Sequence, residues 1–217
     1  MNDFANAFLL VYAGLFPIVN PVGSAPLFLR LTQRSTEAER RSLAFGVSRY
    51  SFLLLLGSLF VGSHVLVFFG ITLPVVRIAG GLVVAAFGWQ LLHSGTEPEG
   101  QRAETAGRPG APVDAFYPLT MPLTVGPGSI SVAITLGSQR PSMPSGWAEL
   151  ALVGGAAIAG LLAIAATIYV CYRFADDIVA LLGERGTNVL MRLSAFILLC
   201  IGIQIIWNGY LSLVATG

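Results

Sequence analysis

The stretch Pro17-Ile18-Val19-Asn20-Pro21-Val22-Gly23-Ser24-Ala25-Pro26 lies inside an apolar segment, Phe4 to Leu31, that is long enough to cross a bilayer. Each proline lacks the backbone donor of a helix, clashes with the preceding turn and disfavours helical angles at the residue before it. We therefore predict a broken helix, with Pro17, Pro21 and Pro26 as its helix-breaking residues. Loosened backbone at membrane depth must be buried by protein or line a wet cavity, which makes this break a candidate site.

A second interruption, Pro122-Leu123-Thr124-Val125-Gly126-Pro127-Gly128-Ser129, lies within a later apolar segment, Phe116 to Gly137. Pro122 and Pro127 predict the same loss of helical hydrogen bonds there. Either break alone is also compatible with a simple kink, because proline and glycine are frequent in membrane helices. Two breaks at matching places in the chain favour a shared functional site instead.

The composition is that of an integral membrane protein. Of the 217 residues, 55% are hydrophobic and only 11% are charged, and the mean hydropathy is +0.77. The formal net charge of +1 gives no indication of nucleic-acid binding. No nucleophile–base pair or cluster of metal ligands falls at membrane depth, so we predict neither an enzyme nor a metal or cofactor site.

The apolar runs predict an all-α, polytopic protein with six transmembrane helices, of which the first and fourth are broken. The chain then forms a single membrane domain, 1–217, with a first three-helix half (1–93), a cytoplasmic linker (94–115) and a second three-helix half (116–217). The predicted spans are Phe4–Leu31, Leu43–Phe69, Leu73–Leu92, Phe116–Gly137, Trp147–Tyr172 and Val189–Val214.

The arginines predict the orientation. Ten of the twelve basic residues lie in or beside the connections after spans one, three and five, whereas only Arg77 and Arg140 belong to the other side. By the positive-inside rule the ten face the cytoplasm, which leaves both termini outside. Arg77 and Arg192 lie at span ends, where we expect their guanidinium groups to reach the interface.

Three spans in each half mean that two similar halves must be inverted relative to each other. The two interrupted motifs align around their proline and glycine residues, and Gly88-Trp89-Gln90 matches Gly202-Ile203-Gln204. Inverted repeats with paired helix breaks are typical of secondary transporters, which bind their substrate at those breaks.

After each break the chain re-enters a helix, at Gly23-Ser24 and at Gly128-Ser129. A helix N-terminus offers unpaired N–H groups and a partial positive charge, which suit a carboxylate. No acidic residue lies near either break, so a small zwitterion or neutral polar solute fits better than a metal ion. The candidate substrate-binding residues are Asn20, Gly23, Ser24, Thr124, Gly126, Gly128 and Ser129.

Both motifs resemble the signatures of a known family. Asn20 to Leu29 is similar to the N-P-x-G-x-x-P-x-F signature of the MarC family of bacterial inner-membrane proteins, and Pro118 to Gly128 is similar to its second signature, P-L-x-x-P-L-x-x-G-P-G. The resemblance covers essentially the whole chain. It implies membership of the LysE-type transporter superfamily and transport of small neutral amino acids such as glycine and alanine.

The expected function is alternating-access transport of a small neutral amino acid across the bacterial inner membrane, coupled to a proton or a sodium ion. A channel or export facilitator for another small solute, and a membrane scaffold without transport, are the alternatives. The expected partners are the substrate, the coupling ion and the lipid bilayer. Homo-oligomerisation is left open.

Overall fold

A computed structural model describes residues 2–93, 113–138 and 147–216. These residues form seven α-helices and one π-helical turn, without a β-strand. The elements are α1 (Asn2–Val19), α2 (Pro21–Leu31), α3 (Glu37–Phe68), α4 (Leu73–His93), the π-turn (Leu119–Thr124), α5 (Pro127–Ser138), α6 (Trp147–Arg173) and α7 (Ala175–Thr216).

Four helices, α3, α4, α6 and α7, are long and apolar enough to span a membrane, and α1 with α2 forms a fifth candidate span bent by 42°. Large apolar side chains face outward, among them Val67 and Phe68 at 79% and 83% exposure, as expected for surfaces solvated by lipid. The structure therefore confirms an all-helical, multi-pass membrane protein.

The predicted fourth span differs from the other five. It consists of the six-residue π-turn and the twelve-residue α5. A helix of twelve residues rises about 18 Å, which is less than the hydrocarbon thickness of about 30 Å. By length alone, this fourth predicted span, and with it a sixth membrane crossing, is thus not established.

The first break is confined to one residue. Val19 ends α1, Pro21 begins α2, and Asn20 between them has the left-handed angles φ 45 and ψ 56. Pro17 lies inside α1 and Pro26 inside α2, so their prediction as break residues is wrong. Each removes one donor without ending its helix, whereas Pro21 occupies the first helical position, where a missing N–H costs nothing.

Helix α7 begins before the predicted sixth span. It runs from Ala175 and is kinked at Gly183, whose φ of 65 falls in the left-handed region that favours glycine. Of the predicted linker 94–115, only Val113 to Ala115 belongs to the described residues. Arg140 also lies outside them.

Helices α4 and α7 approach each other backbone to backbone. A Cβ on Gly88 would lie 2.6 Å from the Leu199 nitrogen, and one on Gly81 would lie 2.8 Å from the Gly202 carbonyl oxygen. A Cβ on Gly202 would in turn collide with Ala85. Small residues at such contacts let membrane helices pack closely.

Two ion pairs connect helices at the arginine-rich end of the bundle. Arg40 of α3 donates to both carboxylate oxygens of Asp176, at 2.9 and 2.7 Å, and Arg173 lies 3.3 Å from Glu37. Thr36 caps α3 in a capping box, because its amide donates to the Glu39 carboxylate at 2.7 Å and its hydroxyl accepts from the Glu39 amide. The backbone bond from Thr36 lowers the pKa of the Glu39 carboxyl.

Candidate functional site

Asn20 is a helix cap in the structure. Its side-chain oxygen accepts from the Gly23 amide at 3.3 Å, and its carbonyl accepts from the Ser24 amide at 3.0 Å. A short amide side chain tolerates left-handed angles and satisfies the first turn of the helix that follows. The side-chain oxygen of Asn20 is therefore already engaged in capping α2.

Gly23 is packed tightly at this break. A Cβ there would collide with the Asn20 side chain, and it would lie 2.5 Å from the hydroxyl oxygen of Ser194 on α7. At Gly23 the first break is thus packed against α7.

The second break uses its threonines locally. Thr120 donates its hydroxyl to the Ala115 carbonyl, and Thr124 donates to the Leu119 carbonyl, each at 2.7 Å and each five residues back. These side-chain bonds supplement the wide backbone turn, in which the Val125 amide donates to the Thr120 carbonyl at 2.8 Å. Both threonines are buried.

Helix α5 leaves two amides free at its start. Pro127 has no N–H, and the first backbone bond runs from the Ile130 amide to the Gly126 carbonyl at 3.1 Å. Among the described residues, the amides of Gly128 and Ser129 have no hydrogen-bond acceptor. Such a helix end carries a partial positive charge and favours an anionic group.

Tyr172 of α6 connects the two breaks. Its phenol oxygen lies 2.8 Å from the hydroxyl oxygen of Thr124 at the second break. Since Thr124 donates its own proton to Leu119, the phenol is the donor to Thr124. The Tyr172 ring stacks on Phe28 of α2 at a centroid distance of 4.5 Å, and both residues are buried.

A cavity of about 70 Å³ adjoins this bridge on the side of the second break. It contains four of the seven predicted binding residues, Thr124, Gly126, Gly128 and Ser129, together with Pro122 and Pro127. Its other described lining is apolar and comes mainly from α4 and α7: Ile18, Val83, Val84, Phe87, Leu123 and Leu198. All of its described lining is uncharged.

The remaining predicted binding residues, Asn20, Gly23 and Ser24, do not line this cavity. The two breaks are therefore neighbours across Tyr172, and the cavity of about 70 Å³ lies at the second one. Tyr172 adjoins Arg173, which pairs with Glu37 in the first turn of α3. This places the bridge towards the arginine-rich end of the bundle.

Neither Tyr172 nor the α4 residues that line the cavity could be recognised as site residues from the sequence. A tyrosine near the end of an apolar span is typical of an interfacial anchor, and nothing in the sequence distinguishes a buried one. In the sequence, the cavity-lining residues Val83, Val84 and Phe87 are indistinguishable from ordinary lipid-facing or core residues. Their role follows only from the packing of α4 against α5.

Comparison with known proteins identifies close relatives. A family model described as "MarC family integral membrane protein" matches residues 5–214. Proteins named "UPF0056 inner membrane protein MarC" from Salmonella typhimurium (strain LT2) and Citrobacter koseri are 35% and 34% identical, over all of this chain and 99% of theirs. The protein of that name from Escherichia coli O1:K1 / APEC is 33% identical over the same shares. No solved structure matches the chain.

Proposed function

The chain belongs to the MarC family of integral membrane proteins, and from that premise we propose that it is a secondary transporter of small neutral amino acids. It is a multi-pass inner-membrane protein, like the relatives it resembles. The observation that carries the proposal is the uncharged cavity at the start of α5, beside two backbone amides without acceptors.

The chemistry of this cavity favours a carboxylate. The free amides of Gly128 and Ser129 and the dipole of α5 provide positive potential without a formal charge. A substrate ammonium group would find hydroxyl and carbonyl oxygens, such as those of the π-turn, but no carboxylate. A zwitterion of zero net charge is balanced there, whereas a dication or a metal ion is not.

The size of the cavity favours a small substrate. A cavity needs roughly 10–15 Å³ to hold one water molecule. The cavity of about 70 Å³ therefore accommodates a few waters or a solute of comparable size. The apolar wall formed by Val83, Val84 and Phe87 suits a hydrogen or methyl side chain. Glycine and alanine satisfy both conditions.

Contacts along α3 support a fourth membrane crossing. A Cβ on Gly46 of α3 would lie 2.7 Å from Ala115, and one on Gly62 would meet Ile134. These two glycines are sixteen positions apart in the helix, which corresponds to a rise of about 24 Å. The π-turn and α5 together therefore follow α3 over most of the depth of a bilayer core, as a broken span would.

The packing also supports inverted halves. Exchange of the two halves would interchange spans one and four, two and five, and three and six. The packing of span one (α1 and α2) against span five (α6) is as extensive as that of span four (the π-turn and α5) against span two (α3). Likewise, the packing of span one against span six (α7) is as extensive as that of span four against span three (α4). Within the α4–α7 contact, Gly88 meets Leu199 and Gly202 meets Ala85. Positions 88 and 202, and positions 85 and 199, are both separated by 114 residues, as expected when a two-fold axis exchanges the helices.

Uptake into proteoliposomes tests the proposal. Labelled glycine and alanine should accumulate when a proton or sodium gradient is imposed, whereas glycinamide, which lacks the carboxylate, should compete at least tenfold less well. Trans-stimulation in counterflow distinguishes a carrier from a channel. Absence of uptake for both amino acids under either gradient would refute amino-acid transport.

A matched pair of variants ties uptake to the cavity. A Cβ on Gly128 would overlap the Val84 side chain, so Gly128→Ala should abolish most uptake, and adding Val84→Ala should restore part of it. Ser138→Ala, at the far end of α5, removes a hydroxyl whose one hydrogen bond among the described residues is to the Ile134 carbonyl, and it should leave uptake unchanged.

A further inference from the structure

A second cavity, of about 460 Å³, opens between α4, α5 and α7 and shares no lining residue with the first. Its polar lining comes from all three helices and consists of Arg77, Thr135, Asn208 and Ser212. The sequence predicts that Arg77 merely extends to the membrane interface. In the structure Arg77 lines a cavity large enough for a small organic molecule, which the sequence does not indicate.

The Arg77 cation is not balanced by an acid within the described part of the chain. One of its terminal nitrogens donates to the Ser212 hydroxyl at 2.9 Å. The two ion pairs found there use Arg40 and Arg173, at the other end of the bundle. A half-buried cation without a counter-charge is unfavourable unless an anion joins it.

The neighbouring polar groups are donors as well. The Thr135 hydroxyl is buried and has no hydrogen-bond partner among the described residues. The side-chain oxygen of Asn208 accepts from Gln204 at 3.0 Å, which leaves its amide nitrogen to donate. Arginine, amide and hydroxyl donors thus converge on one cavity without any acceptor of formal charge.

We propose that this cavity binds a small oxyanion, either a carboxylate or a phosphate, through Arg77. The planar guanidinium fork matches two oxygens of either group, and Thr135 and Asn208 supply further donors. Val132, Ile205 and Leu211 form an apolar side that suits a short aliphatic chain on the anion. The proposal does not depend on transport through the first cavity.

Calorimetric titration of the full chain in nanodiscs of phosphatidylcholine tests this site. The probes are sodium acetate, sodium propionate and inorganic phosphate at constant ionic strength, with methylammonium chloride as the control ligand. We expect saturable binding of at least one of the three anions and none of methylammonium. Arg77→Gln should weaken that binding at least tenfold and Thr135→Val severalfold.

Three control variants separate this site from the rest of the molecule. Arg192→Gln removes an exposed arginine of α7 that lines neither cavity and should leave anion binding unchanged. Thr124→Val and Tyr172→Phe, which affect the first cavity, should also leave it unchanged. Anion binding that survives Arg77→Gln, or falls equally in Arg192→Gln, would overturn the proposal.

A second arm identifies the source of the oxyanion. If a lipid phosphate is the ligand, nanodiscs that contain phosphatidylglycerol should raise the melting temperature of the wild type but not of Arg77→Gln. They should also abolish binding of the soluble anions. If neither soluble anions nor phosphatidylglycerol produce an Arg77-dependent signal, the site does not bind oxyanions.

Discussion

The phenol of Tyr172 donates to the hydroxyl of Thr124 across 2.8 Å, and the Tyr172 ring stacks on Phe28 of α2 at a centroid distance of 4.5 Å. Thr124 belongs to the π-turn, so one side chain of α6 contacts both interrupted spans. Thr124 also lines the cavity of about 70 Å³. Any movement that opens one break relative to the other must therefore rearrange this bridge.

Tyr172→Phe removes the hydrogen bond to Thr124 while retaining the ring that stacks on Phe28. Loss of one buried hydrogen bond should lower the free energy of unfolding by about 1 kcal/mol. If the bridge couples the two breaks, glycine uptake should fall severalfold as well. The measurements are thermal unfolding in detergent and uptake into proteoliposomes.

Tyr12→Phe is the matched control. The Tyr12 hydroxyl lies 3.2 Å from Thr167, so this variant breaks another tyrosine–threonine bond of α6, away from the cavity. It should reduce stability slightly without changing uptake. Equal losses of uptake in both variants would mean that Tyr172 acts only through stability.

Variants of Asn20 distinguish a cap from a substrate ligand. Asn20→Ala removes the cap and the local side-chain hydrogen bond that lets asparagine adopt φ 45, which should destabilise the protein by about 1–2 kcal/mol. Asn20→Gly accepts that φ without strain and should cost only a few tenths of a kcal/mol. Melting temperatures should therefore rank wild type, Gly and Ala in that order.

Uptake by the Asn20→Gly variant tests whether the Asn20 amide also contacts the substrate. The structure has Asn20 outside the cavity, so we expect the glycine variant to retain most of its uptake. Loss of uptake in a stable Asn20→Gly protein would show that the amide contacts substrate in another conformation. The result for Asn20→Ala alone does not separate the two roles.

The α4–α7 contact should be sensitive to a single methyl group. Gly202→Ala places a Cβ against the Ala85 backbone and should force the helices apart, with a loss of about 1–3 kcal/mol. Gly154→Ala in α6 has nothing within 4 Å of its Cβ and should be neutral or slightly stabilising. Thermal unfolding of the two variants in the same detergent compares them directly, and equal melting temperatures would disprove the close contact.

Cysteine labelling tests the number and direction of the spans. In a background with Cys171 and Cys200 replaced by alanine, a membrane-impermeant maleimide applied to intact cells should label Asn2→Cys and Thr216→Cys. Gln33→Cys, in the arginine-rich connection, should react only after permeabilisation. Labelling of one terminus but not the other would indicate five crossings and contradict inverted halves.

Much of the helical layout was predictable from local sequence. Thr36 and Glu39 mark the start of α3, and α4 and α6 end within a residue of their predicted limits. Local rules fail at the prolines, however. Pro17 and Pro26 resemble Pro21 in the sequence, but neighbouring helices hold the chain helical around them and leave the break at Asn20 alone.

The sequence by itself determined that the protein lies in a membrane, where its helices run and which motifs interrupt them, because apolar length, capping and proline chemistry act within a few residues. Only the tertiary structure decided that Tyr172 joins Thr124 of the π-turn to Phe28 of α2, that the second break faces a cavity, and that Arg77 lines another. These relationships depend on how distant helices pack. Backbone approach at Gly81, Gly88 and Gly202 fixes that packing through contacts between residues more than 100 positions apart.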